Sequence, residues 1–214
     1  MGRIRKGVLG GFSGTVGTVV GSNWKGIEYM RSLPTIKKKR ISSQKQLQQQ
    51  ARFAVANRFI RSMSDLYMLT YDDPAANETG VNSALSDVLK RAVVGTYPSF
   101  SILYNLVYVS RGSLHNASTA NATAEAGAVI RFNWVNTEGS IGKESPNDRV
   151  ILVAYSSEFN RAVYRKGALR SALTDTLSVP GFVGESLHTW ITFLSEDEQD
   201  YADSLYTGQI DIQV

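Results

Sequence analysis

The spacing of hydrophobic and polar residues changes along this chain, and the change separates a helical region from a strand-rich one. From residue 43 to residue 69 the apolar residues recur every three or four positions, which predicts one amphipathic helix over this range. Ser43 and Gln46 have the spacing of a capping box at its start. A second helix is predicted over residues 79–93, and Gly95 has the position of a C-cap glycine.

After Pro98 apolar and polar residues alternate with period two, as in strands. Turn residues separate the alternating runs at the spacing of a β-sandwich. Residues 149–155 are almost continuously apolar, which indicates a central strand, and Trp134 suits a sandwich core. Residues 114–125 are small and polar and are predicted to form a loop. Seven strands are predicted, over residues 102–110, 128–134, 149–155, 162–166, 175–179, 187–194 and 205–214.

The first forty residues are rich in glycine, and glycines at this density argue against a helix. Alternation predicts two strands over residues 15–24 and 27–33, with Lys25-Gly26 as the tight turn between them, because glycine can adopt positive φ. A lone hairpin is marginal in water, so this arm must pack on its own chain or on a neighbouring copy. The residues that define the predicted hairpin are Gly14, Gly17, Gly21, Trp24 and Gly26.

Taken together, the patterns predict an α+β protein in three parts. Residues 1–40 form a basic, glycine-rich arm with a β-hairpin, residues 41–97 form a segment of two helices, and residues 98–214 form a seven-stranded immunoglobulin-like β-sandwich. The chain has 214 residues, and 43% of them are hydrophobic, which suffices for a sizeable core.

Charge is distributed unevenly along the chain. Residues 1–61 contain thirteen basic residues and one acidic residue, a net charge of +12, whereas the remainder has ten basic and eighteen acidic residues, a net charge of −8. Such asymmetry indicates a polyanionic partner, either nucleic acid phosphates or the acidic part of another copy; a solvated basic loop is the alternative. The predicted contact residues are Arg3, Arg5, Lys6, Lys25, Arg31, Lys37, Lys38, Lys39 and Arg40.

Candidate catalytic chemistry is sparse in this sequence. There is no cysteine, and the two histidines, His115 and His188, are too far apart for a local metal motif. Asp72-Asp73 and the acidic run 196–198 lack the spacing of a calcium loop. The early glycines lack the strand, the helix and the Gly-Lys-Ser/Thr of a phosphate loop. We therefore expect no catalytic residue, no metal and no cofactor.

Two resemblances add to this reading. FNW in the second predicted strand and the later runs LSVP, HTWITFLS and SLYTGQIDI resemble a fibronectin type III or immunoglobulin-like domain. Over nearly its full length the chain also resembles an uncharacterised family from Bacteroidota, a domain of unknown function. The motifs that carry this second resemblance are GGFSGTVGTVVGSNWKG, Arg31-Ser32, SSQKQLQQQARF, GTYPSF, SRGSL, FNW and SLYTG. The resemblance implies no activity.

The arm and the charge asymmetry favour a structural protein that assembles with itself into a particle or filament, for example a virion or phage-derived shell. A nucleic-acid-binding protein is the first alternative, because Trp24, Lys25, Tyr29 and Arg31 mix aromatic and basic side chains. A sandwich module that binds glycan or protein is the second. We expect that the protein is not an enzyme and has no membrane partner. We also expect no signal peptide or transmembrane segment, and a cytoplasmic or virion location.

Overall fold

The computed structural model describes residues 2–4, 7, 10–34, 42–71, 78–136 and 143–213. The chain forms two units, Met1–Ser43, here called the arm, and Gln44–Val214, here called the body. The predicted α+β class is confirmed, with antiparallel strands in both units and the helices in the body.

The arm is a single antiparallel sheet in which neighbouring strands follow chain order. Its four described strands are β1 (Arg3–Ile4), β2 (Phe12–Val16), β3 (Val19–Trp24) and β4 (Ile27–Ser32). The predicted Lys25-Gly26 turn joins β3 to β4, with φ of 48° and 85° at the two residues, as a type I′ hairpin turn requires. The prediction of one strand over residues 15–24 is wrong, because the chain turns at Gly17, where φ is 58°.

The described part of the body contains three helices rather than the two that were predicted. They are α1 (Gln44–Arg61), α2 (Ser64–Thr70) and α3 (Gly80–Arg91). The predicted helix over 43–69 is divided at Ser62, whose hydroxyl donates to the Phe59 carbonyl at 2.7 Å and competes with the helical bonding pattern. The second predicted helix is confirmed, and the Thr79 side chain caps it by accepting a hydrogen bond from the Asn82 N–H.

A small hairpin follows α3, formed by β5 (Val93–Thr96) and β6 (Ser99–Ile102). The prediction of Gly95 as a helix C-cap is wrong, because Ala92 occupies that position and Gly95 lies within β5. A Cβ atom at Gly95 would lie 2.4 Å from the Ser99 carbonyl oxygen, so the hairpin requires glycine there.

The predicted strand over residues 102–110 is also wrong. After β6 the chain forms a 3-10 turn at Tyr104–Leu106 and then runs on in irregular conformation. Side chains replace a partner strand here: the Trp190 indole donates to the Val107 carbonyl at 3.1 Å, and the Ser204 hydroxyl accepts from the Val109 N–H at 2.8 Å. The alternation arises because Val107 and Val109 are buried, not because the segment pairs in a sheet.

The predicted seven-stranded immunoglobulin-like sandwich is confirmed over the described residues of the body. Its strands are β7 (Thr119–Glu125), β8 (Val129–Val135), β9 (Arg149–Ser156), β10 (Arg161–Leu169), β11 (Thr174–Ser178), β12 (Ser186–Leu194) and β13 (Leu205–Asp211). One sheet has the order β11-β8-β7, and the other has the order β10-β9-β12-β13. One strand, β7, lies where a loop was predicted.

The four-stranded sheet of the body is buried on both faces at its centre. One face of β9 and β12 meets the other sheet in the sandwich core, which includes Trp134 as predicted. The opposite face meets the helices in a second core built around Phe59, Tyr67 and Trp190. Residues of β9 alternate between the cores: Val150, Leu152 and Ala154 face the sandwich, whereas Ile151, Val153 and Tyr155 face the helices. This double burial explains the continuous apolar run of the predicted central strand.

Candidate self-assembly surface

Strand β4 of the arm is exposed along its whole length, although it is rich in apolar residues. All six of its residues are exposed, with 65% of Ile27 and 70% of Met30 accessible to solvent. β4 is also an edge strand, since it pairs with β3 on one side and ends the described sheet on the other. Exposed apolar edge strands are sites where another chain can pair or pack.

The strand register brings aromatic and basic side chains together on one face of the arm. Trp24 lies opposite Ile27, Ser22 opposite Tyr29, and Val20 opposite Arg31. Because directly opposed residues point to the same face of a sheet, Trp24, Ile27, Tyr29 and Arg31 share one face. We call these four residues the open face; all of them are exposed.

The opposite face of the arm is partly covered by the chain itself. Phe12 lies over Gly21, where an added Cβ atom would be 2.7 Å from the Phe12 ring, and Gly21 is buried. The Glu28 carboxylate accepts a hydrogen bond from the Gly11 N–H at 2.9 Å. This difference between the two faces makes the open face the better candidate for a contact with another molecule.

The other predicted arm residues fall into two groups. Arg3 lies in β1 opposite Ser13, Lys25 lies in the β3–β4 turn, and Gly14 lies opposite Gly21. Six of the predicted basic residues lie outside the described residues, namely Arg5, Lys6, Lys37, Lys38, Lys39 and Arg40.

The two units carry charge of opposite sign. Met1–Ser43 contains nine basic residues and one acidic residue, a net charge of +8, whereas Gln44–Val214 contains fourteen basic and eighteen acidic residues, a net charge of −4. Net charge therefore disfavours contact between two arms.

The loop between β12 and β13 is the most acidic stretch of the body, with five carboxylates over residues 196–203. Neutral donors hold several of them: Glu196 accepts from the Asn147 amide at 3.2 Å, and the hydrogen bond from Ser195 lowers the pKa of Asp197. Two of them have cationic neighbours: Lys143 lies 3.0 Å from Asp200, and Lys166 pairs with Glu198. Within the described residues no three His, Asp or Glu side chains are placed to hold a metal ion.

The two histidines occupy different environments. His188 of β12 stacks on Tyr104 with ring centres 3.9 Å apart, and its Nδ1 lies 2.9 Å from the Tyr206 hydroxyl. Burial lowers the pKa of His188 to about 4. His115 is largely exposed, and its Nδ1 lies 3.3 Å from a Glu144 oxygen. No serine, threonine or lysine is hydrogen-bonded to either ring in the described structure.

Comparisons with known proteins place the chain in a family without assigning it an activity. Residues 11–208 match the model of a family of unknown function, DUF6266. The chain belongs to this family. The match spans both the arm and the body, which confirms the expected membership of an uncharacterised family. No curated protein matches the chain.

One solved structure with similarity is the fibronectin type III domain of the human collagen alpha-1(XX) chain, at 17% identity and a TM-score of 0.32. The similarity covers 48% of this chain and 82% of that domain. Among the described residues no helix is long and apolar enough to cross a membrane.

Proposed function

We propose that this DUF6266 protein is a non-enzymatic structural subunit that assembles with copies of itself, with the arm of one subunit packing on the body of the next. The observation that carries the proposal is β4, a strand of six exposed residues that includes three large apolar or aromatic side chains, Ile27, Tyr29 and Met30. Complete burial of an Ile or Met side chain contributes about 1.5–3 kcal/mol. A second protein surface packed on the open face would supply that burial for Ile27.

The composition of the arm supports a protein partner. Trp, Tyr and Arg are among the residue types enriched at the centres of protein interfaces, and Trp24, Tyr29 and Arg31 share the open face. Such residues act as anchors when a partner surface excludes water around them.

Charge favours the body of another copy over its arm as the partner surface. The arm is strongly basic and the body is acidic, so arm-to-body contact is attractive. Contact between two different surfaces of the same protein is heterologous, and repeated heterologous contacts produce rings or filaments. A shell or filament subunit, including one in a virus or phage-derived particle, is the specific form of this proposal.

A nucleic-acid-binding function is the second candidate, because the open face combines two aromatic rings with Arg31. Stacking rings beside cationic side chains bind single-stranded nucleic acid with little sequence preference. Particles containing nucleic acid would absorb strongly at 260 nm and would release the nucleic acid at high salt. A purely protein assembly keeps a protein-like ultraviolet spectrum.

The test is size-exclusion chromatography with light scattering on the full chain, on a variant carrying both Ile27→Glu and Tyr29→Glu of the open face, and on the control Met68→Glu. Met68 lies in α2 and is 57% exposed, between the 44% of Tyr29 and the 65% of Ile27, so it is a comparably exposed apolar residue that lies in the body. We expect the wild type and the control to form large assemblies. The double variant should weaken assembly at least about a hundredfold, because two buried apolar contacts are lost.

Two results would contradict the proposal. A wild-type chain that stays monomeric at high concentration excludes self-assembly. Assembly that is equally strong in the double variant shows that β4 is not the contact. Far-ultraviolet circular dichroism of all three proteins checks that the folded state is unchanged.

A further inference from the structure

A cavity of about 390 Å³ lies within the body between α1, the segment 100–104 and the turn that joins β9 to β10. Aromatic rings line it: Phe59 meets Tyr155 edge to face with ring centres 4.9 Å apart, and it meets Tyr104 at 5.8 Å. A volume of about 300–1,000 Å³ with mainly apolar walls is typical of small-molecule sites. All of its lining residues belong to the body.

Arg58 of α1 gives this aromatic cavity a positive charge. It lines the cavity, and no Asp or Glu lines it. In the described part of the chain the Arg58 guanidinium forms neither an ion pair nor a hydrogen bond. Arg58 also acts electrostatically on Tyr155, another residue that lines the cavity. Burial raises the pKa of Tyr155, and the positive charge of Arg58 acts in the opposite direction.

The polar groups around the rings are neutral. The Tyr155 hydroxyl donates to the Asn160 side-chain oxygen at 3.0 Å, and Ser101 and Ser157 are exposed at the cavity. A ligand therefore meets flat apolar walls, hydroxyl groups and one cation. Aromatic walls favour a planar ring through offset stacking or edge-to-face contact. A free guanidinium favours a planar carboxylate, whose two oxygens match its paired N–H donors.

We propose that this cavity binds a small planar aromatic carboxylate, with its ring beside Phe59, Tyr104 and Tyr155 and its carboxylate paired with Arg58. An aliphatic acid would lose the ring contacts, and a neutral aromatic molecule would leave the guanidinium without its partner. Both are therefore weaker ligands.

The test is isothermal titration of the full chain with three probes. They are 1-naphthoate, the neutral 1-naphthamide with the same ring system, and cyclohexanecarboxylate with the same charge but no aromatic ring. We expect 1-naphthoate to bind one site, and each of the other two to bind about tenfold more weakly or worse.

Three variants locate the site. Arg58→Gln removes the cation and should weaken 1-naphthoate binding about tenfold. Ala54→Phe fills the cavity from an exposed position on α1 without changing any charge, and should abolish binding. Arg61→Gln is the matched control, because Arg61 is exposed on the same helix and does not line the cavity; its affinity should equal that of the wild type.

Absence of 1-naphthoate binding to the wild type overturns the proposal, as does binding that Ala54→Phe leaves intact. Equal affinity in Arg58→Gln and wild type shows that the cavity does not select an anion, which overturns the ligand class. None of these outcomes depends on whether the protein assembles.

Discussion

Strands β4 and β9 are both rich in apolar residues, but one is exposed along its length and the other is buried on both faces. Ile27–Ser32 of β4 has six exposed residues, whereas seven of the eight residues of Arg149–Ser156 in β9 are buried. The body supplies the cover for β9 from its own helices and its second sheet. The described arm supplies no such layer for the open face. Apolar content alone therefore does not decide burial; a second layer of structure does.

The largest test of this comparison uses one tryptophan from each region. Trp190 is completely buried and donates to the Val107 carbonyl, so Trp190→Ala should lower the free energy of unfolding by about 3–5 kcal/mol. Trp24 is 53% exposed, so Trp24→Ala should change the free energy of unfolding by less than about 0.5 kcal/mol while weakening assembly. Urea unfolding measures the free energy of unfolding, at a protein concentration where the chain is monomeric. Light scattering measures assembly.

A similar loss of stability in both variants would show that Trp24 is buried within its own chain. The contrast between the two strands would then be wrong. A Trp24→Ala protein that assembles like the wild type would remove the open face from the contact.

Two arginines sharpen the contrast between internal and external charge. Arg170 is buried, with its Nε 3.1 Å from the buried Asp148 carboxylate and its guanidinium 4.0 Å from the Phe193 ring centre. Arg170→Met leaves that carboxylate without its cation, and should lower the free energy of unfolding by about 3 kcal/mol. Arg31→Met, on the exposed strand, should leave stability within about 0.5 kcal/mol and reduce the salt dependence of assembly.

The matched measurements are urea unfolding and light scattering between low and high sodium chloride. If Arg170→Met is as stable as the wild type, the buried pair does not stabilise the body. If the salt dependence of assembly is identical in Arg31→Met, Arg31 takes no part in the electrostatic contact.

The sequence predicted elements well where local signals agree, and poorly where tertiary contacts replace them. The Lys25-Gly26 turn and the helix capped by Thr79 follow from local chemistry, and both are present. Strand β7 was missed because its inward residues are alanines, although Ala120, Ala122 and Ala124 do alternate with polar residues. The strand predicted over residues 102–110 is wrong because the alternation there comes from packing against Trp190 and Ser204, which lie far along the chain.

The candidate sites were predictable to different degrees. Charge counting identified the arm as basic, but only the strand register places Trp24, Tyr29 and Arg31 on one face. Arg58 could not be distinguished from the other arginines of α1. Its cavity is assembled from α1, the segment after β6 and the β9–β10 turn, which are separated by about forty residues or more along the chain. Such a site has no local sequence signature.

The smallest expected effect is the change of stability with pH that results from the burial of His188 in β12. Burial holds the pKa of His188 at about 4 in the folded protein, below the value of about 6.5 in an unfolded chain. Between these values the unfolded state binds more protons, so protonation of this group progressively destabilises the folded state as pH falls from 6.5 towards 4. We expect the loss of stability to be about 2 kcal/mol. It should appear in urea unfolding of the wild type and be reduced in His188→Phe.

His115→Phe is the control, because it removes the largely exposed histidine of the body and leaves His188 in place. If His188→Phe and the wild type lose the same stability between pH 7 and pH 4, the ring of His188 is solvated rather than enclosed. The 3-10 turn at Tyr104–Leu106 then does not seal that face of the four-stranded sheet around His188. The arm and body sheets would in that case differ less in burial than β4 and β9 indicate.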